Sequence, residues 1–130
     1  MLHRVLAFLA CSLWGHCHIV CLGDSNTGWI VPGTPALWCE MLGARLQGTG
    51  WEVANRGQSG MIAGAVPASD GRQVISPHTG EPRYAGFHLE RVLARDQPDV
   101  LLIALGTNDI VGKRPAWKVR DDILALKTRA

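Results

Sequence analysis

The chain lacks any apolar run close to the roughly 20 residues that a membrane-spanning helix needs, so no membrane span is expected. It also lacks a basic run. Thirteen Lys and Arg stand against 11 Asp and Glu, for a net charge of +2. From Arg83 to Lys118 the cations alternate with acids and apolar residues, which excludes a nucleic-acid-binding stripe. Internal repeats and low-complexity tracts are missing as well. Neither G-x-x-x-x-G-K-[ST] nor G-x-G-x-x-G follows a strand-like segment, which argues against a nucleotide binder built on glycine-rich strand ends. No cofactor is implied. What the chain does have is 47% hydrophobic and 18% charged residues in a length of 130, enough for one packed domain and too apolar for disorder.

Cysteines number four, Cys11, Cys17, Cys21 and Cys39, and their spacing offers no disulfide framework. "HCHIVC" looks like a metal cluster at first sight. On a strand, however, His16 and His18 face one side while Cys17 and Cys21 face the other, so the four cannot converge on an ion. Buried thiols in a core strand are expected instead, with no metal site. Residues 1–17 carry Arg4 and then an apolar segment from Val5 to Trp14. They read either as a weak leader peptide or as an extension of the domain formed by 18–130. A cut after Cys17 would open the mature chain almost inside its first strand, which favours a cytoplasmic protein.

The order of elements is β-α-β-loop-α-β-α. "HIVCL" (18–22) is a short apolar strand of the doubly buried kind. Thr34 and Pro35 suit the N-cap and first position of a helix carrying Leu37, Trp38, Met41, Leu42 and Leu46, stopped by Gly48 and Gly50. "WEVAN" (51–55) is a second strand. Residues 61–82 form a long loop, read equally well as a binding insertion or a surface excursion. "RYAGFHLERVLARDQ" places Ala85, Leu89, Val92 and Leu93 on one helical face. Val100 to Leu105 is continuously apolar, as in a central parallel strand. "RPAWKVRDDILALKTR" is an amphipathic helix with Val119, Ile123, Leu124 and Leu126 inward. Such alternation predicts an α/β fold with a parallel sheet and helices on both faces.

All three strands end in polar, glycine-containing clusters: Gly23-Asp24-Ser25-Asn26, Gly57-Gln58-Ser59-Gly60 and Gly106-Thr107-Asn108-Asp109. Parallel strands bring their carboxyl ends to one edge, where α/β sheets bind ligands. Ser25 offers a hydroxyl nucleophile at a sharp strand exit. Gly57 offers a backbone N–H with no side chain in the way, and Asn108 a side-chain amide. With the Ser25 N–H these would make an oxyanion hole. Asp24, Asn26 and Asp109 are expected to hold the loop by accepting backbone N–H bonds. Asn55 is placed to bond across to the first loop. Arg56 is expected to be a solvated surface charge.

"GDSNT", "NRGQSG" and "GTND", in this order at three strand ends, resemble the signature blocks of the GDSL/SGNH hydrolase superfamily. The resemblance runs from residue 18 to about 129. It implies a flavodoxin-like three-layer α/β/α sandwich and a serine esterase or lipase acting on small carboxylic esters. It makes Ser25 the nucleophile and Ser25, Gly57 and Asn108 the oxyanion hole. The partner it implies is a small-molecule ester. A non-catalytic acyl- or carbohydrate-binding module of the same fold is the competing reading.

The family's late Asp-x-x-His, which supplies the base, is not in the sequence. No histidine follows His88. Among earlier ones, His3, His16 and His18 precede or begin the first strand, His88 sits in a helix, and His78 in the long loop is the one placed to substitute. The pattern is that of the N-terminal part of a hydrolase, with its oxyanion donors and without its base.

Overall fold

A computed structural model describes residues 16–28, 37–64, 75–77 and 79–130. Three strands, β1 (Cys17–Gly23), β2 (Trp51–Asn55) and β3 (Val100–Ala104), form one sheet in the order β2-β1-β3. Both pairings are parallel, with Cys21 opposite Asn55 and Gly23 opposite Ala104. The helices are α1 (Ser25–Gly28), α2 (Trp38–Leu46), α3 (Ala85–Asp96), α4 (Thr107–Val111) and α5 (Ala116–Arg129).

Alternation along β1 sends side chains to both faces of the sheet. Val20 and Leu22 point into a cluster with Met61, Ala85, Leu89, Val92 and Leu126, so α3 and α5 cover that face. Cys21 points the other way and hydrogen-bonds the Cys39 thiol of α2. Helices therefore lie on both sides of a parallel sheet, as the alternation predicts. Leu22, Leu89 and Leu126 are each completely buried, and each such side chain contributes about 1.5–3 kcal/mol of burial free energy.

Among the described residues β1 is the central strand and β3 lies at an edge, although its apolar run suits a central place; Ala104 is exposed and the other β3 residues are only partly covered. A continuous apolar run reports burial on two faces, and says nothing about which neighbours a strand has. The α2 helix also differs. Its buried residue is Cys39, while Met41 is 51% exposed. The Thr34–Pro35 start falls outside the described residues. In α5, Leu126 is buried but Leu124 is 52% exposed. Helix α3 matches its expected face, and ends at Gln97 in a left-handed conformation with φ 43°.

The cysteines are partly as expected. Cys21 and Cys39 are free and buried, whereas Cys17 is disulfide-bonded rather than a free thiol. Burial and the mutual hydrogen bond push the Cys39 thiol well above its ordinary range, and burial raises Cys21. No group of three or more metal-ligating side chains occurs among the described residues. No helix among them is long and apolar enough to cross a membrane.

Candidate active site

The three strand ends are laced to each other by side chains. First meets third: Asn26 Nδ2 donates to Thr107 Oγ1 at 3.2 Å. Third meets second: Asn108 Nδ2 donates to the Met61 carbonyl at 3.0 Å, and Asp109 accepts the Ala63 N–H at 3.0 Å. Second meets first: Asn55 Nδ2 donates to the Thr27 carbonyl at 2.5 Å, and the Gln58 N–H to the Gly23 carbonyl at 2.8 Å. A closed triangle of hydrogen bonds fixes these clusters as one edge.

Ser25 is the first residue of α1, directly after β1. The turn that carries it is held by Asp24, 2% exposed. The Asp24 carbonyl accepts the N–H groups of Thr27 and Gly28 at 3.0 and 3.1 Å, and its Oδ1 accepts that of Asn26 at 2.9 Å. Among the described residues Asn26 accepts no backbone N–H; its amide donates across to Thr107. Asp109 is fully buried. It accepts from Ala63, and from Arg114, which also reaches Asp122. Among the described residues its contacts are thus with the loop after β2 and with a half-buried cation, not with the serine turn.

Gly57 departs from the expectation of a free N–H. That N–H donates to Asn55 Oδ1 at 2.9 Å. The same asparagine also donates to Glu40. Gly57 is glycine for a packing reason: a Cβ there would lie 2.3 Å from Gly28 N, and a Cβ on Gly28 would lie 2.2 Å from the Gly57 carbonyl oxygen. Two backbones touch at this point, which only paired glycines permit. Among the described residues nothing accepts the Gly60 N–H, and Gly60 adjoins Met61, whose carbonyl binds Asn108. The Asn108 amide carries two hydrogens and spends one on Met61. Gly106, at φ 125°, supplies a backbone turn that other residues rarely adopt, and it aims Thr107 and Asn108 back toward the edge.

Histidine geometry follows the sequence argument. His18 sits in β1 with Nδ1 2.8 Å from the Asp96 carbonyl oxygen. His88 is 8% exposed, with Nε2 2.6 Å from the Pro82 carbonyl oxygen, and burial lowers its pKa. His16 has an exposed side chain beside Glu52. None of these three bonds to Ser25. His78 lies outside the described residues.

Arg56 is corrected. Rather than a solvated charge, it forms a forked pair with Asp96, Nε to Oδ2 at 2.9 Å and Nη2 to Oδ1 at 3.0 Å. Asp96 is 6% exposed, and its guanidinium partners Arg56 and Arg95 hold its carboxyl far below the usual range. No local pattern marks this pair, 40 residues apart, nor the contacts of Arg114 and Glu40. Each meets its partner only because the elements pack.

An all-parallel sheet with helices on both faces and three polar strand ends is an α/β protein with its site at the carboxyl edge. More particularly, the chain has the fold of the SGNH hydrolases. It superposes on AlinE4, described as an SGNH-hydrolase family esterase, with a TM-score of 0.63 and 18% identity over 88% of this chain and 52% of that one. TesA gives 0.63 and 21% over 87% and 53%. Est24, a carbohydrate acetylesterase from Sinorhizobium meliloti, gives 0.59 and 24% over 85% and 52%. The chain spans about half the length of these structures. No protein-family model matches it. No curated protein matches its sequence.

Proposed function

We propose that the chain carries the nucleophile and oxyanion-binding half of a serine ester hydrolase acting on small acyl or acetyl esters. One observation carries the reading. Three strand ends are locked into a single edge, yet Ser25 Oγ, the Ser25 N–H and one Asn108 amide hydrogen are left without partners among the described residues. A rigid, hydrogen-bonded frame with unspent donors beside an unspent hydroxyl is what acyl transfer uses. Ser25 Oγ attacks the ester carbonyl. The new oxyanion takes the Ser25 N–H, the Asn108 amide and a donor from the Gly57–Gly60 turn. Because Asn55 holds the Gly57 N–H, that hydrogen must leave Asn55 Oδ1 to serve, whereas the Gly60 N–H is unspent among the described residues. The serine proton passes to a base outside the described residues. The likeness to structures described as an esterase and a carbohydrate acetylesterase supports the substrate class.

The test is acylation of Ser25 by a fluorophosphonate, together with hydrolysis of p-nitrophenyl acetate. Turnover is expected to be negligible for residues 1–130. It is expected to appear when a C-terminal segment bearing Asp-x-x-His is joined, and to fall about 10²–10³-fold in Asn108→Ala. Strong turnover by these residues alone, abolished by His78→Ala, would assign the base to His78 instead. A second reading, an acyl-binding module without catalysis, is favoured by the partners of His16, His18 and His88, which are Glu52 and two backbone carbonyls and not Ser25. Saturable binding of an acetylated sugar with no hydrolysis in the extended protein would select it.

A further inference from the structure

Beside the strand-end edge, a groove of about 640 Å³ runs between the end of β2 and helix α3. Gly57 and Gln58 line one side, and His88, Arg91, Val92 and Arg95 the other. Its volume falls in the range of small-molecule sites, about 300–1,000 Å³. The polar groups around it are unbalanced. Both of its carboxylates are already paired. Asp96 takes forked pairs from both Arg56 and Arg95, at 2.9–3.1 Å. Glu81 gives one oxygen to Arg91 and the other to Gln58 Nε2, at 3.0 Å.

The donors are not used up. Arg91 spends Nη1 on Glu81 and its Cζ lies 5.5 Å from the Phe87 ring centroid; its Nε and Nη2 have no partner among the described residues. Arg95 spends Nε and Nη2 on Asp96, and its Nη1 has no partner among the described residues. Arg91 and Arg95 stand one helical turn apart, so both reach one guest. Arg56, Arg91 and Arg95 face Asp96 and Glu81, an excess of one positive charge before His88 is counted, and burial lowers the pKa of His88.

We infer that this groove is a binding site for a phosphate group, free or carried on a small organic molecule, held by Arg91 and Arg95. Guanidinium forks match tetrahedral oxyanions and pair with them more strongly than neutral donors do. The site does not depend on Ser25. If its guest is the anionic end of an ester, that extension rests on the hydrolase reading above.

The experiment is an NMR titration of the ¹⁵N-labelled chain with inorganic phosphate at low ionic strength, following the Arg91 and Arg95 Nε–H resonances. Saturable shifts of both are expected, absent with chloride at matched ionic strength. Binding is expected to weaken at least about tenfold in R91Q/R95Q, to be unchanged in Ser25→Ala, and to be unchanged in Arg120→Gln, a remote surface cation. A glycerol 3-phosphate arm that shifts the same resonances places the organic carrier in the groove. Shifts from phosphate no larger than from chloride would overturn the site, whatever the variants do. So would acetate binding as tightly as phosphate, or R91Q/R95Q binding like the parent. Failure here leaves the Ser25 acylation test untouched.

Discussion

Replacing Asp109 with alanine should be the most damaging polar substitution at this edge. Asp109 is completely buried, and both its oxygens lie near the Ala63 N–H, at 3.0 and 3.3 Å. It also receives the guanidinium of Arg114, whose side chain is 20% exposed. Removal leaves the fully buried Ala63 N–H unpaired, a loss of about 1–3 kcal/mol. It also leaves Arg114 with Asp122 as its remaining carboxylate. Breaking a buried pair from one side costs about 3–5 kcal/mol. Because Arg114 keeps Asp122 and some solvent, the broken pair costs less than that range, about 2 kcal/mol, and about 3 kcal/mol in total is the expected value. With a urea slope of about 2 kcal/mol per molar, the unfolding midpoint should fall by roughly 1.5 M. Asp121, half exposed and paired with exposed Arg120, is the internal comparison. Asp121→Ala should stay within about 0.5 kcal/mol. Asp109→Asn, which keeps an acceptor for Ala63 but loses the charge, should fall between. If Asp109→Ala is no more damaging than Asp121→Ala, the buried hub does not hold the strand ends together.

Three further outcomes follow from the same geometry. Gly28→Ala should lower stability by about 1–3 kcal/mol through collision with the Gly57 backbone, read as a drop in thermal midpoint, whereas Gly48→Ala meets no atom. Any loss in Gly48→Ala should come from its φ of 77° alone. Asp96 has a depressed folded-state pKa, so its contribution is present above the unfolded value near 3.9 and is lost as pH falls below about 4. Asp96→Asn should therefore flatten acid unfolding in that window; an unchanged acid limb in urea melts would refute the pairing. Finally, Cys21 and Cys39 should resist alkylation in the native protein and react on unfolding, as peptide mapping by mass would show. Rapid native labelling would contradict their burial.

Local chemistry made much of this fold legible from sequence. Apolar strands ending in glycine and polar residues are read directly from residue order, as is a helix face through Ala85, Leu89 and Val92. The alternation of strands and helices fixes a parallel sheet, because right-handed crossovers leave few other arrangements. So too the gathering of Ser25, Asn108 and the second cluster at one edge follows from parallel strands alone.

Other features were decided by packing. Whether β3 lies at the centre or the edge depends on its neighbours, which its own apolar run does not encode. The pairing of Arg56 with Asp96, or Asp109 with Arg114 and Asp122, depends on where helices settle, since a charged residue carries no local mark of its partner. The fate of the Gly57 N–H turned on a side chain two residues away, Asn55, that bends back to take it. Sequence determined which groups reach the edge; the tertiary structure decided which of their hydrogens are still unspent. Hydrogen-bond satisfaction is a property of the whole neighbourhood, and no single strand end contains it.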